Sequence, residues 1–243
     1  MKSETINYFD GKQKLIGELI SNNQQGQQPA IVLYPAIEGR ASFAIEYGKK
    51  LVEKGYIVLV ADIYGDGATA DTMEGGFKLI GPFLQDRDLV RRRSLLAFET
   101  LLQQKNVNKN KIGAIGFCFG GMCALEVARA GANLNSIVTM HGILAKSSLE
   151  THPIKAKILA LAGYKDPQVP ADQQQQFAHE METAGVKDWS LVLFGAAKHS
   201  FTDPKTGTFD APKEKEMGRE YNKIAADRSF RYAVDFFAEH LLG

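Results

Sequence analysis

The chain has 243 residues, 44% of them hydrophobic and 23% charged, as expected of a soluble globular protein large enough for a single α/β domain spanning 1–243. The formal net charge of +1 gives no reason to expect nucleic acid or an anionic membrane surface as a partner. No apolar run approaches the ~20 residues of a membrane span. The start, Met1-Lys2-Ser3-Glu4-Thr5, lacks a charged-then-apolar signal pattern, so a cytoplasmic location is expected.

Residues 4–9 and 14–20 read as two antiparallel strands joined at Asp10-Gly11. The continuous apolar run at 30–34 suits a strand buried on both faces. Residues 42–54 carry Phe43, Ile45, Tyr47, Leu51 and Val52 at helical spacing; Gly55 closes the helix, and 56–61 is the next strand. The Gly-rich stretch 62–86 reads as loops and a short helix over the site. Residues 89–104 form an amphipathic helix, with Arg91-Arg92-Arg93 as its solvated face and capping edge. A strand at 111–115 precedes a helix at 119–130, which Gly131 stops. Strands at 136–140, 157–161 and 189–194 alternate with helices at 171–184 and 221–242. Such alternation predicts an α/β fold, a mostly parallel central sheet with helices on both faces.

Cys118 lies at the junction of the 111–115 strand and the 119–130 helix, in Gly116-Phe117-Cys118-Phe119-Gly120-Gly121. This G-x-C-x-G run is the nucleophile-elbow pattern with Cys where Ser is more usual. A side chain at Gly116 or Gly120 would crowd that turn. In the α/β-hydrolase order an acid and then a His follow the nucleophile. Asp166 stands after the 157–161 strand in a Gly-x-x-Asp-Pro-x-x-Pro loop, and His199 after the 189–194 strand. All three stand just after strands, where open α/β sheets place their sites.

A free thiol titrates near pH ~8.5, so it needs a base to act as a nucleophile at neutral pH. His199 is the candidate base and Asp166 the group that orients it. The amide of Phe119 is the expected first oxyanion donor, and the turn after the 30–34 strand, around Ala36 or Ile37, supplies the second. Cys123 reads as a buried structural thiol on the following helix. A lone Cys-x4-Cys pair is a poor zinc signal, and no metal or other cofactor is expected. Of the remaining histidines, His179 and His240 read as solvated helix residues and His152 as a loop residue. His141 follows a strand and lines the pocket in this reading, but it precedes the acid.

These pieces, with Ala61-Asp62-Ile63-Tyr64-Gly65, Asp166-Pro167-Gln168-Val169-Pro170 and His199-Ser200-Phe201, resemble the dienelactone hydrolase family. The resemblance runs from about Ile31 to the last helix. It implies an α/β-hydrolase fold, a Cys118-Asp166-His199 triad, oxyanion amides at Ile37 and Phe119, no metal, and hydrolysis of small esters or lactones. Well-known members carry a thiol-activating Glu three residues before the glycine of the turn after the first long parallel strand. That position holds Ala36 here, and the nearby carboxylate is Glu38. Members that act on dienelactone bind its carboxylate with arginines, for which Arg40, Arg87 and Arg91 are the candidates. The alternative from another class is a small-ligand binding or redox-sensing protein using Cys118 as an oxidisable thiol.

Overall fold

A computed structural model describes residues 1–208 and 210–243. The chain opens with a hairpin, β1 (Lys2–Asp10) and β2 (Gln13–Ser21), antiparallel through its length. Six further strands follow: β3 (Gln28–Tyr34), β4 (Ile57–Val60), β5 (Val107–Phe117), β6 (Ser136–Met140), β7 (Lys157–Gly163) and β8 (Trp189–Phe194). They form one sheet in the order β1-β2-β4-β3-β5-β6-β7-β8. The hairpin joins it antiparallel through β2 and β4, and every later pairing is parallel. The order reverses between β3 and β5, the kind of switch point where open α/β sheets leave a crevice. Ile31 to Tyr34 and Ile112 to Phe117 are buried there, which is why these strands are continuously apolar.

Helices cover both faces. α1 (Ser42–Val52) and α7 (Lys223–Phe237) meet through Tyr47 and Phe230, whose ring centroids lie 5.5 Å apart. α3 (Arg87–Leu102) packs on α4 (Phe119–Arg129), every residue of which is buried. α5 (Ala171–Thr183) completes the crossover between β7 and β8. Side-chain caps mark the helix starts: Asp86 Oδ1 accepts from Leu89 N at 3.0 Å for α3, and Asn222 Oδ1 from Ala225 N at 3.0 Å for α7. Among the described residues no helix is long and apolar enough to cross a membrane.

The structure departs from the sequence expectation in four places. The 62–86 stretch contains a full helix, α2 (Met73–Gln85), with Gly75, Gly76, Gly81 and Pro82 inside it. The Thr72 cap and the buried stripe Met73, Gly76, Ile80 and Phe83 outweigh the weak intrinsic preference of glycine. A short helix, α6 (Ala211–Glu216), lies between β8 and α7. The last helix is two pieces, since a π turn, Ala238–Leu242, follows α7 and sets Phe237 and Leu241 over Gly113. Finally, only Arg92 of the Arg91-Arg92-Arg93 run is on a solvated face. Arg92 and Arg93 both donate to Asp10 at the hairpin tip, and Arg93 Nη1 also donates to the carbonyls of Ile63 and Tyr64. One guanidinium has enough donors to fasten the hairpin and the site-bearing loop to α3 at once.

Candidate active site

β5 ends at the buried Phe117, and α4 begins at Phe119. Cys118 between them has φ 51° and ψ −116°, a conformation that L-residues rarely adopt. The glycines explain how the turn closes. A Cβ at Gly116 would overlap the Gly120 backbone, and one at Gly120 would overlap the Tyr34 carbonyl. The turn is buttressed from the β6 side. Cys118 N donates to Met140 O at 3.1 Å, and Cys118 O accepts from Gly121 N at 3.0 Å and Ile143 N at 3.1 Å. The thiol is 5% exposed, at the mouth of the switch-point crevice.

Asp166 and His199 converge from the loops after β7 and β8. His199 Nδ1 donates to Asp166 Oδ2 at 2.8 Å, and Asp166 Oδ1 accepts from Gln168 N at 2.8 Å. Both side chains are fully buried. A bridge to the strand-like segment at 218–220 holds the His199 backbone, through His199 N to Gly218 O at 3.0 Å and Glu220 N to His199 O at 2.9 Å. His199 Nε2 makes no hydrogen bond within the protein that would occupy it. Burial opposes a charge on this imidazole, but the adjacent Cys118 thiolate and the bond to Asp166 outweigh burial and push its pKa up to about 9. An imidazole gripped by a carboxylate on one nitrogen and facing a thiol with the other can take the thiol proton and keep it.

His141 packs edge-on to His199 at 5.2 Å, and its Nε2 pairs with Thr202 Oγ1 at 2.8 Å. Burial, the neighbouring His199 and Arg219 hold its pKa well below the usual range, so it stays neutral beside the charged imidazole. His179 is exposed. His240, expected to be solvated, is instead half-buried, edge-on to Phe236 at 4.5 Å and 3.4 Å from Asp188. The break into a π turn rotates it off the helix face that its spacing implied.

Ile37 and Phe119 are brought together by Tyr64. The Tyr64 hydroxyl donates to Ile37 O at 3.1 Å, and its ring stacks on Phe119 with centroids 6.0 Å apart and planes 8° from parallel. Phe119 opens α4, so its N–H is among those a helix leaves without an internal acceptor. Gly76 of α2 allows the closest approach here, since a Cβ on it would lie 2.9 Å from Ile37 Cγ1. Asp62 shapes the loop that carries Tyr64. Its carboxylate accepts from Ile16 N, Gly65 N and Gly67 N at 2.7 to 2.8 Å.

Glu38, on the same turn as Ile37, is engaged by a residue the motifs did not single out. Arg219 Nη2 donates to Glu38 Oε1 at 2.6 Å, and Arg219 Nε lies 3.4 Å from Glu214 Oε1. Burial works against the Arg219 charge, but Glu38, the Cys118 thiolate and Glu214 outweigh it and raise its pKa further. Glu38 and Arg219 line a cavity of about 270 Å³ with Ala70, Asp71, Asp203 and Lys205. A larger cavity of about 580 Å³ lies beyond it, between α1 and α7, lined by Phe43, Tyr47, Tyr221 and Phe230 among others. Lys205 Nζ donates to Ser42 Oγ at 2.9 Å between the two. The smaller one borders the site, because Glu38 on its wall follows Ile37 in the chain and Arg219 is bridged to His199 through the backbone.

The dienelactone hydrolase family model matches residues 16–241. The chain belongs to the dienelactone hydrolase family. A probable 2-oxo-3-(5-oxofuran-2-ylidene)propanoate lactonase of Bradyrhizobium sp. is 25% identical over 229 residues, covering 90% of this chain and 86% of that protein. The crystal structure of a dienelactone hydrolase-like promiscuous phosphotriesterase from metagenomic libraries is 32% identical, with a TM-score of 0.92 and 98% of each chain covered. A structure described as m3DLH is 34% identical, with a TM-score of 0.89, covering 99% of this chain and 98% of that one.

Against that family background, the three arginines proposed for substrate binding are placed elsewhere. Arg40 Nη1 donates to Glu18 on β2 at 2.7 Å. Arg91 Nε donates to Glu126 at 3.0 Å and its Nη1 to Glu150 O at 2.7 Å. Arg87 Nη2 donates to Ala145 O at 3.2 Å, with Glu126 3.9 Å away. Each guanidinium is drawn to a half-buried or buried carboxylate or carbonyl that would otherwise lack a partner. Arg219 is the arginine bridged to His199, and its sequence signal is Gly218-Arg219-Glu220 in an irregular stretch. Cys123 is buried and free, as its helix position implied; burial pushes its thiol pKa up to about 12. Among the described residues no group of three or more His, Cys, Asp or Glu side chains is placed to hold a metal ion.

Proposed function

We propose that this protein hydrolyses small esters or lactones through Cys118, acting as one catalytic unit over 1–243. The observation that carries this reading is His199, bonded to Asp166 at 2.8 Å through Nδ1 while its other nitrogen faces the elbow thiol. In this mechanism the thiolate attacks the carbonyl carbon, and the negative charge moves to the carbonyl oxygen. The N–H groups of Phe119 and Ile37 receive it, helped by the N-terminus of α4. The C–O bond to the leaving oxygen breaks as the His199 imidazolium gives that oxygen its proton. In a lactone the freed hydroxyl stays tethered to the acyl group. The acyl-thioester at Cys118 is then attacked by water, whose proton passes to His199, and the acid departs as the thiolate returns.

The names of the relatives support the class of substrate. The Bradyrhizobium protein is described as a lactonase. The neighbour that covers 98% of both chains is described as a promiscuous phosphotriesterase, so an uncharged phosphotriester is the second substrate to try on the same thiol.

The test is hydrolysis of 4-nitrophenyl acetate by the reduced wild type and by Cys118→Ala. The wild type is expected to turn over and to show an acyl adduct on Cys118 by mass spectrometry after a rapid quench. The variant is expected to lose on the order of 10³-fold or more. Equal rates in the two proteins would sink the thiol mechanism. Reversible oxidation of Cys118 with no turnover in the reduced protein would favour a redox sensor.

A further inference from the structure

The candidate site differs from a carboxylate receptor in its charge, and this bears on substrate class. The 270 Å³ cavity at Glu38, next to Ile37, and at Arg219, bridged to His199, is lined by four carboxylates, Glu38, Asp71, Asp203 and Glu214, against two cations, Lys205 and Arg219. Arg219 is already held by Glu38 at 2.6 Å with Glu214 3.4 Å away, and its side chain is only 3% exposed. The Lys205 ammonium is turned to Ser42 Oγ, and its backbone N–H donates to Asp203 Oδ1. Arg40, Arg87 and Arg91 are committed to Glu18, Glu126 and main-chain carbonyls. An anionic substrate would therefore meet a net negative wall. To reach Arg219 it would have to displace Glu38 and leave that carboxylate without its partner. The adjoining 580 Å³ cavity sets the rings of Phe43, Tyr47, Tyr221 and Phe230 among four carboxylates, Glu46, Glu53, Asp203 and Asp227, and three lysines, Lys50, Lys54 and Lys205, so it offers aromatic surface to an uncharged arm and no excess of positive charge to an anion.

We infer that this site selects uncharged esters and lactones and discriminates against substrates that carry a carboxylate. The inference rests on the proposed thiol hydrolase reading, and it names the substrate class within it. Burial and the neighbouring Glu38 raise the pKa of the Asp203 carboxyl, in keeping with a cavity that already holds more negative charge than it can easily accommodate.

Two measurements test it. The first compares kcat/KM for 4-nitrophenyl hexanoate and for the mono-4-nitrophenyl ester of adipic acid, acyl chains of equal length that end in a methyl and a carboxylate. The neutral ester is expected to be favoured by about tenfold or more, and Asp71→Asn and Asp203→Asn are each expected to narrow the gap several-fold. The second needs no turnover: the rates at which iodoacetamide and iodoacetate alkylate Cys118, read by mass spectrometry and referred to the same pair of rates for 2-mercaptoethanol. The neutral reagent is expected to gain about tenfold on the anion relative to that free thiol. Equal preference for the two esters, or an iodoacetamide-to-iodoacetate ratio no higher than that of 2-mercaptoethanol, overturns the inference; a preference for the carboxylate ester makes Arg219 a carboxylate receptor. Hydrolysis of neither ester defeats the hydrolase reading alone, and the alkylation ratio still decides the charge preference of the cavity.

Discussion

Arg129 and Arg219 are both buried arginines set between two glutamates, one behind the elbow helix and the other in front of the thiol. Arg129 donates to Glu180 through Nε at 2.9 Å and Nη2 at 2.7 Å, to Glu126 at 3.1 Å, and to Leu144 O at 3.0 Å. Glu126 in turn takes Arg91, so the cluster ties α3, α4 and α5 to the loop after β6. Arg219 has a single short bond to Glu38, a looser approach to Glu214 and an open cavity beside it. A buried charge whose donors all end on close protein acceptors has nothing left to act on, and it serves the fold. A buried charge with loose partners next to open space still exerts its field there, and here that space borders the segment bridged to His199.

That contrast can be broken by paired truncations. Arg129→Leu leaves Glu180 without a partner in the interior and Glu126 with Arg91 and the more distant Arg87 only, and a loss of about 3–5 kcal/mol is expected in urea unfolding. The kcat of the fraction that remains folded should be unchanged. Arg219→Leu is expected to do the reverse, with a smaller stability loss because the side chain of Glu38 is 17% exposed, and with kcat/KM reduced by about tenfold or more. If Arg219→Leu proves the more destabilising and keeps full activity, the two clusters are equivalent and the distinction is wrong.

The pH dependence sharpens the same point at His199. Its folded pKa of about 9 lies above the unperturbed value of 6.5, so the folded state binds the extra proton more tightly between the two. The stabilisation is full below pH 6.5 and is lost as pH rises through about 9. In Cys118→Ala the thiolate that raises the pKa is gone, so an NMR titration should show the His199 midpoint falling, and the alkaline loss of stability should flatten. An unchanged midpoint would mean that Asp166 alone sets it. In the wild type, kcat/KM should decline above about pH 9 as the imidazolium that protonates the leaving oxygen is lost. The smallest effect is expected for Tyr64→Phe, which removes one hydrogen bond to Ile37 O worth about 1 kcal/mol. Its signature is a kcat lowered about fivefold with KM unchanged; a change in KM alone would place Tyr64 in substrate binding.

Most of the architecture was legible in the order of residues. The β3, β5, β6 and β7 strands are runs of apolar residues because both their faces are covered, and the helices between them keep a 3.6-residue period for the same reason. Cys118, Asp166 and His199 could be named because an elbow and two strand ends put chemistry at predictable places on a parallel sheet. The full length of α2 was not legible because its glycines signal a loop locally. Gly76 is there because α2 must approach Ile37 closely, a requirement that exists only in three dimensions.

The sequence by itself therefore determined the α/β fold, the order in which Cys118, Asp166 and His199 follow their strands, and the small-residue turn that carries Cys118. These depend on local spacing and on which faces are buried. Tertiary structure alone decided which charges belong to the site. Arg40, Arg87 and Arg91 stood near plausible motifs but are bound to carboxylates and carbonyls elsewhere, whereas Arg219, in an irregular segment far along the chain, is bridged to His199 and set against Glu38. A long charged side chain goes to whichever unpaired acceptor the fold brings within reach, and no periodicity along the chain records where that acceptor lies.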